Sequence, residues 1–359
     1  MRVVVTGATG NVGTSVLRAL EADASVDSVL GIARRLPAAS SASKASKIEW
    51  ASADIVTGDL REHFDGADAV VHLAWAIQPS RDEAKLRAIN IGGSARVFAA
   101  VAEAGVPALV YASSVGAYSR GPKDRAVDES WPTDGIATSF YSRHKAETER
   151  MLDRFERDHP STRVVRLRPA LIFKGEAAAE IRRLFAGPFL PTPLLRPGLI
   201  PVIPRIARLR FQAVHSRDVG EAYRAAVVNA DAAGAFNVAA DPVLDPDELA
   251  DLLGARTVPV PAAAVRALTD LTWRLHMQPT PPGWVDMALG VPIMDHARAR
   301  EVLGWRPARS SRDALMELLE GMREGRGGPT PTLAADAAGP ARIGEVRTGV
   351  GARQSPGDP

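Results

Sequence analysis

No cysteine occurs in the 359 residues. That excludes disulfides, thiolate metal sites and a cysteine nucleophile, and it fits a reducing compartment. An excess of charge is missing too. The 44 Lys+Arg against 42 Asp+Glu leave a net charge of +2, no electrostatic footprint for nucleic acid. No apolar run approaches the roughly 18 residues of a membrane span, so no membrane partner is expected. The first ten residues, MRVVVTGATG, run from a short strand pattern into glycines rather than through a basic and then long apolar signal. No internal repeat is visible, and no His/Asp/Glu spacing points to a metal. What remains, 46% hydrophobic and 24% charged, is the composition of a soluble globular protein with a sizeable core. A cytoplasmic location is expected.

Through the first half, short β-branched runs alternate with longer helix-like stretches. Val3–Val5, Val29–Ala33, Ala69–Leu73, Leu109–Ala112 and Val164–Leu167 read as buried strands. Thr14–Glu21, Gly92–Ala104 and Tyr141–His159 between them read as helices. Such alternation predicts an α/β fold, a Rossmann-type doubly wound parallel sheet, over residues 1–169. Residues 170–324 read as a smaller C-terminal α/β lobe for substrate, partly interleaved with the first domain. Six prolines within 187–210 predict an apolar loop region there. Strands are expected at Arg210–His215 and Ala235–Val238, helices at Val219–Asn229 and Pro246–Leu253. Residues 325–359 carry eight Gly and five Pro in 35, which predicts a disordered tail.

Directly after the first strand stands Gly7-Ala8-Thr9-Gly10-Asn11-Val12-Gly13. Gly7 permits a tight strand-to-helix turn, Gly10 lets a pyrophosphate approach the backbone, and Gly13 lets the helix pack closely on the sheet. The following helix N-terminus offers free N–H groups to phosphate. Gly7, Thr9, Gly10, Asn11, Val12 and Gly13 are therefore candidate cofactor contacts. The second strand ends in Arg34-Arg35, without the carboxylate that would take an adenosine ribose. Two guanidinium groups there favour a 2′-phosphate, so NADP is the expected cofactor, with NAD the alternative.

Tyr141 and Lys145 stand four residues apart, on one helix face. An ammonium beside a phenol stabilises the phenolate. The strand ending at Ala112 runs into Ser113-Ser114, at the carboxyl edge where open sheets bind ligands. Together with GDL at 58–60, VVHLAW at 70–75, NIGGS at 90–94, YASSVGAY at 111–118, RLRP at 166–169, HSRDVGEA at 215–222 and LGWRP at 303–307, these pieces carry a resemblance. The chain resembles the extended branch of the short-chain dehydrogenase/reductase superfamily, the NAD-dependent epimerase/dehydratase-like proteins, over residues 1–320. The resemblance implies that Tyr141 is the acid/base, that Lys145 lowers its pKa and binds the nicotinamide ribose, and that Ser114 rather than Ser113 orients the substrate oxygen. It places Asp59 and Leu60 at the adenine, and Leu73 and Ala74 over the adenosine and pyrophosphate. It also implies a homodimer through the helices at 92–104 and 141–158.

Asn90 reads as site support or a helix cap, His72 as a core histidine, and His215 and Asp218 as structural, with Asp218 the natural N-cap. Trp75 reads equally as pocket wall or core. Two departures separate the chain from the family's sugar-nucleotide enzymes: Ala170–Gly175 replaces a Tyr-Gly-Pro type turn, and Val115-Gly116 after Ser114 cannot move protons. Arg205, Arg208 and Arg210 remain as candidates for a phosphate. The expected function is NADP(H)-dependent carbonyl reduction or alcohol oxidation on a small, fairly apolar substrate. A sugar-nucleotide epimerase and a non-catalytic dinucleotide-binding regulator are the alternatives.

Overall fold

The structure, a computed structural model, describes residues 1–38, 46–78, 80–186 and 195–335. Its strands are β1 (Arg2–Thr6), β2 (Ser28–Ala33), β3 (Ile48–Ser52), β4 (Ala69–His72), β5 (Ala108–Ala112), β6 (Ala126–Val127) and β7 (Arg163–Pro169). β8 (Leu171–Phe173), β9 (Val202–Arg205), β10 (Ala213–His215), β11 (Gly234–Val238), β12 (Arg256–Pro259) and β13 (Ile293–Met294) follow. Seven of them form one parallel sheet in the order β11-β7-β5-β4-β1-β2-β3. The order reverses between β1 and β4, the point where a doubly wound sheet opens a crevice beyond its carboxyl ends.

Alternation along β1 shows how the sheet is wrapped. Val3 and Val5 face one apolar core with Val16, Leu20 and Val219, while Val4 faces the other with Val70, Val97 and Leu109. All three β1 valines are fully buried, as expected for a strand covered on both sides. The helices Asn11–Ala22 and Ser216–Val228 pack together on the first face. Ser94–Glu103 and Phe140–Asp158 contribute to the second.

The second half is threaded through the first. The strand expected at Ala235–Val238 is β11, and it pairs with β7 at the edge of the main sheet instead of belonging to the smaller lobe. Three two-stranded pieces, β8–β10, β9–β12 and β6–β13, make up the rest. The proline-rich loop region is partly a strand: Val202–Arg205 pairs with Arg256–Pro259. Pro204 is tolerated there because a two-stranded ribbon has free edges that need no N–H from it. Residues 187–194 of that region lie outside the described residues. The helix expected from Gly92 begins at Ser94, because a π-helical turn over Ala88–Gly93 precedes it. The strand expected from Arg210 shortens to Ala213–His215, since Phe211 bridges antiparallel to Leu244.

The tail also departs from expectation. Gly325 caps the Ser311–Glu324 helix in a left-handed conformation, and the chain then docks instead of leaving. Leu333 is 1% exposed and Thr330 is buried. A Cβ on Gly328 would lie 2.8 Å from that of Leu333, so glycine here serves close packing rather than disorder. Residues 336–359 of the expected tail lie outside the described residues. No described helix is long and apolar enough to cross a membrane.

Candidate active site

The three loop glycines have different reasons to be glycine. Gly7 has φ +73°, and a Cβ on it would meet the Ala74 nitrogen at 2.7 Å. A Cβ on Gly13 would stand 2.4 Å from the Gly7 carbonyl oxygen. Gly10 is in an extended conformation any residue adopts, and its nearest obstacle is Gly7 O at 3.5 Å. The fold therefore demands Gly7 and Gly13, whereas the space over Gly10 is open to a ligand. Gly10 caps the Asn11–Ala22 helix without a side chain of its own to bond the helix N–H groups, and the first turn holds no acidic residue. This is a cradle for an anion, and a dinucleotide pyrophosphate fits it.

Around the cradle, the chain from Leu73 runs beside the loop through a Leu73 N–H to Thr6 carbonyl bond of 3.1 Å. Arg34 and Arg35 are exposed just past β2, and no ion pair engages either among the described residues. Asp59 is exposed and accepts from the Arg61 N–H at 3.1 Å, while Leu60 is buried in the core beneath it.

Ser114, Tyr141 and Lys145 come together beyond β5. Ser139 caps the Phe140–Asp158 helix, whose first turn carries Tyr141. The Ser114 hydroxyl accepts from the Gly116 N–H at 3.0 Å and lies beside the Tyr141 phenol. Burial raises the phenol's pKa, and the serine hydroxyl opposes that rise. A Cβ on Gly116 would come within 2.8 Å of the Tyr141 ring, so only glycine lets the ring settle here. One turn on, the Lys145 ammonium donates to the Ala112 carbonyl at 2.6 Å and stands 3.5 Å from the centre of the Trp75 indole. Its distance to the centre of the Tyr141 ring is 5.8 Å. Burial pulls its pKa well below the usual lysine value, and Glu149 opposes that fall.

Ser113 is occupied elsewhere: its hydroxyl donates to Glu149 at 2.5 Å. Glu149 also pairs with Arg166 at 3.0 Å and Arg168 at 2.9 Å, and its carboxyl pKa is lowered to about 2. Burial acts to raise it, and the two arginines and Ser113 overcome that. This ionic knot ties β7 to the helix that bears Tyr141 and Lys145.

Residues 3–185 match the NAD dependent epimerase/dehydratase family model. The chain belongs to that family. An uncharacterised protein of Mycobacterium tuberculosis is 27% identical over 337 residues, covering 89% of this chain and 83% of its own length. A second one from that species is 27% identical over 331 residues, and there the chain spans 30% of its relative's length. A 4-hydroxy-2-methyl-3-oxo-4-farnesyl-3,4-dihydroquinoline-1-oxide ketoreductase of Stigmatella aurantiaca is 27% identical over 190 residues, 51% of this chain and 54% of that one. Among solved structures, a UDP-glucose 4-epimerase of Thermotoga maritima with UDP-glucose superposes with a TM-score of 0.64 at 21% identity. It covers 90% of this chain and 99% of its own. Family membership makes the chain an enzyme with a dinucleotide-binding Rossmann fold.

Other residues singled out in the sequence take supporting places in this family member. Asn90 clasps the Ala76 backbone, accepting from its N–H at 2.8 Å and donating to its carbonyl at 2.9 Å, and so holds the segment that carries Trp75. His72 is a core histidine bonded to Thr6 at 2.7 Å and Ser94 at 3.0 Å, with burial lowering its pKa to about 3. The N-cap of the Ser216–Val228 helix is His215, not Asp218: its ring accepts from the Arg217 N–H. Asp218 instead accepts from the Arg309 N–H, because the chain after Trp305 packs across that first turn.

Sequence reasoning missed Trp284 and Phe185. The Trp284 ring lies 5.0 Å from Tyr141, and Phe185 lies edge-on to Trp284 at 4.9 Å. With Trp75 edge-on to Tyr141 at 6.0 Å, they make an aromatic wall. Nothing local in the sequence marks Trp284, which lies more than a hundred residues after its partner.

Proposed function

We propose that this family member is an NADP(H)-dependent oxidoreductase that interconverts a carbonyl and an alcohol on a small, fairly apolar substrate. The observation that carries it is the wall around Tyr141: Trp75, Trp284 and, behind it, Phe185 offer ring faces and edges where a sugar would need polar partners. Such a surface favours apolar burial over a hydrated ligand.

The glycine loop would hold the cofactor's phosphates, and Arg34 and Arg35 its 2′-phosphate. When bound, the cofactor supplies or accepts the hydride. In reduction Tyr141 gives its proton to the substrate oxygen, and in oxidation it takes one back. Ser114 holds that oxygen against the phenol, while its Gly116 bond fixes the hydroxyl's direction. Lys145 sits ready to bind the ribose and to favour the phenolate. A cytoplasmic homodimer is part of the same reading, supported by the family resemblance and the cysteine-free composition.

The second reading is a sugar-nucleotide epimerase, favoured by the overlap in fold with such enzymes. Against it, the arginines available for a diphosphate are engaged. Arg205 pairs with Asp247, Arg208 donates to the Leu289 and Gly121 carbonyls, and Arg210 donates to the Lys123 carbonyl. The test is incubation with NADPH and a panel of aromatic and aliphatic ketones and nucleotide sugars, followed by product analysis. Ketone-dependent NADPH oxidation is expected, lost in Tyr141→Phe while NADPH still binds. Interconversion of nucleotide sugars without net NADPH loss would establish the epimerase instead.

A further inference from the structure

The glycine loop is tethered on both sides of Gly10. After it, the Asn11 carbonyl accepts from the Lys174 ammonium at 2.8 Å and from the Ser216 hydroxyl at 3.0 Å. Before it, the Thr9 carbonyl accepts from the Thr330 hydroxyl at 2.6 Å, and the Thr9 and Thr332 hydroxyls meet at 3.0 Å. Thr9 and Thr330 are both buried. Thr9 thus spends its hydroxyl and its carbonyl on the C-terminal segment. That segment lies past residue 320, where the resemblance to the family's sequence pattern ends.

Residues 326–335 fold into a turn that presents Thr330. The Gly328 N–H donates to the Leu333 carbonyl at 2.8 Å, and the Leu333 N–H donates to the Thr330 carbonyl at 3.0 Å. Leu333 is buried, and a Cβ on Gly327 would collide with the Ala335 backbone, so the ends of the turn touch. Two bonds fasten the turn to residues 178–183. The Arg326 carbonyl accepts from the Ala179 N–H at 3.3 Å, and the Thr332 carbonyl accepts from the Arg183 guanidinium at 3.1 Å.

The Thr9 carbonyl belongs to the peptide that leads into Gly10. A peptide group is planar, so holding its carbonyl also directs the N–H on its other side. Here the Gly10 N–H closes the loop onto the Gly7 carbonyl at 3.2 Å. Gly10 itself has no Cβ and open space over it, which leaves its backbone free to turn unless the neighbouring peptides are held. A turn at Gly10 would take the first amides of the Asn11–Ala22 helix out of line with a phosphate.

We propose that Thr330 is a positioning residue for the dinucleotide site, and that residues 326–335 are a strap that preorganises the glycine loop for the cofactor's pyrophosphate. The proposal rests on the cofactor reading above. The Thr330 hydroxyl acts through the Thr9 peptide and leaves the contacts with phosphate to the loop and helix amides. A loop already held in its binding shape costs less to order when the ligand arrives, and the difference appears as affinity.

The experiment compares wild type, Thr330→Val and Thr330→Ser on the full chain. NADPH and NADH binding are followed by cofactor fluorescence, and adenosine 2′-phosphate binding by calorimetry. Valine keeps the shape of threonine and removes the donor. Both dinucleotides should then bind roughly two- to tenfold more weakly, the range for one lost hydrogen bond. Adenosine 2′-phosphate carries no pyrophosphate, so its affinity should stay constant, which a general loosening of the fold would not allow. Serine keeps the hydroxyl and should restore dinucleotide binding. If the valine variant folds poorly, Thr332→Val, which removes only the hydroxyl partner of Thr9, carries the same comparison. Unchanged or tighter dinucleotide binding in the valine variant, or equal losses for all three ligands, overturns the strap and leaves the cofactor reading standing. Binding of neither dinucleotide by wild type overturns both.

Discussion

Replacing Glu149 by glutamine should destabilise the protein strongly at neutral pH and much less in acid. The carboxylate is 1% exposed, and it faces Arg166 and Arg168, whose side chains are 8% and 6% exposed. Removing one member of such a buried set leaves charge uncompensated, at a cost of about 3–5 kcal/mol. Linkage supplies a second measure. The folded carboxyl titrates at about 2 against 4.5 for the free group. At about 1.4 kcal/mol per pH unit, that depression is worth roughly 3 kcal/mol. Because the folded value is the lower one, this stability is fully present above pH 4.5 and is lost as pH falls through about 2. At pH 3 about 1 kcal/mol should remain. For a chain of this length, about 2 °C per kcal/mol puts the melting temperature of Glu149→Gln roughly 6–10 °C below wild type at pH 7. Thermal melts followed by circular dichroism at pH 7, 5, 4 and 3 give the comparison. A loss under about 2 °C at pH 7, or a gap between the proteins that stays constant down to pH 3, would refute the reasoning.

The glycines make a paired prediction. Gly13→Ala forces a Cβ to 2.4 Å from the Gly7 carbonyl and should lower stability by about 1–3 kcal/mol. Gly10→Ala should melt like wild type yet bind NADPH about tenfold more weakly, because its Cβ enters the ligand's space rather than the protein's. Melting curves and cofactor titrations on both variants check this, and a reversed pattern would contradict the division of roles. Replacing Arg34 and Arg35 together by serine should weaken NADPH about ten- to a hundredfold, since a charge-assisted hydrogen bond contributes about 1.5–3 kcal/mol. NADH binding should stay constant. Equal losses for both cofactors would mean that the arginines do not read the 2′-phosphate.

Much of this protein is written in short stretches of its sequence. The valine runs of β1 and β4, the spacing of Gly7, Gly10 and Gly13, and the Tyr141–Lys145 pair each depend on residues within a turn or a strand of one another. Local steric and periodic rules suffice for such features. The resemblance singled out Ser114 over Ser113, and the structure engages the Ser113 hydroxyl with Glu149. Other features depend on which distant surfaces meet. Trp284 reaches Tyr141, and Phe185 reaches Trp284, only because the second half of the chain folds back over the sheet's carboxyl edge. β11 joins the main sheet because β7 has a free edge beside it. Composition described the stretch after Gly325 as too poor in apolar side chains to order. One buried leucine, two threonine hydroxyls on Thr9 and close glycine packing hold residues 326–335 nonetheless. A partner already folded supplies most of the surface and most of the order, so the docking segment needs few contacts of its own. The glycine loop was thus determined by sequence, and what rests upon it by the tertiary structure.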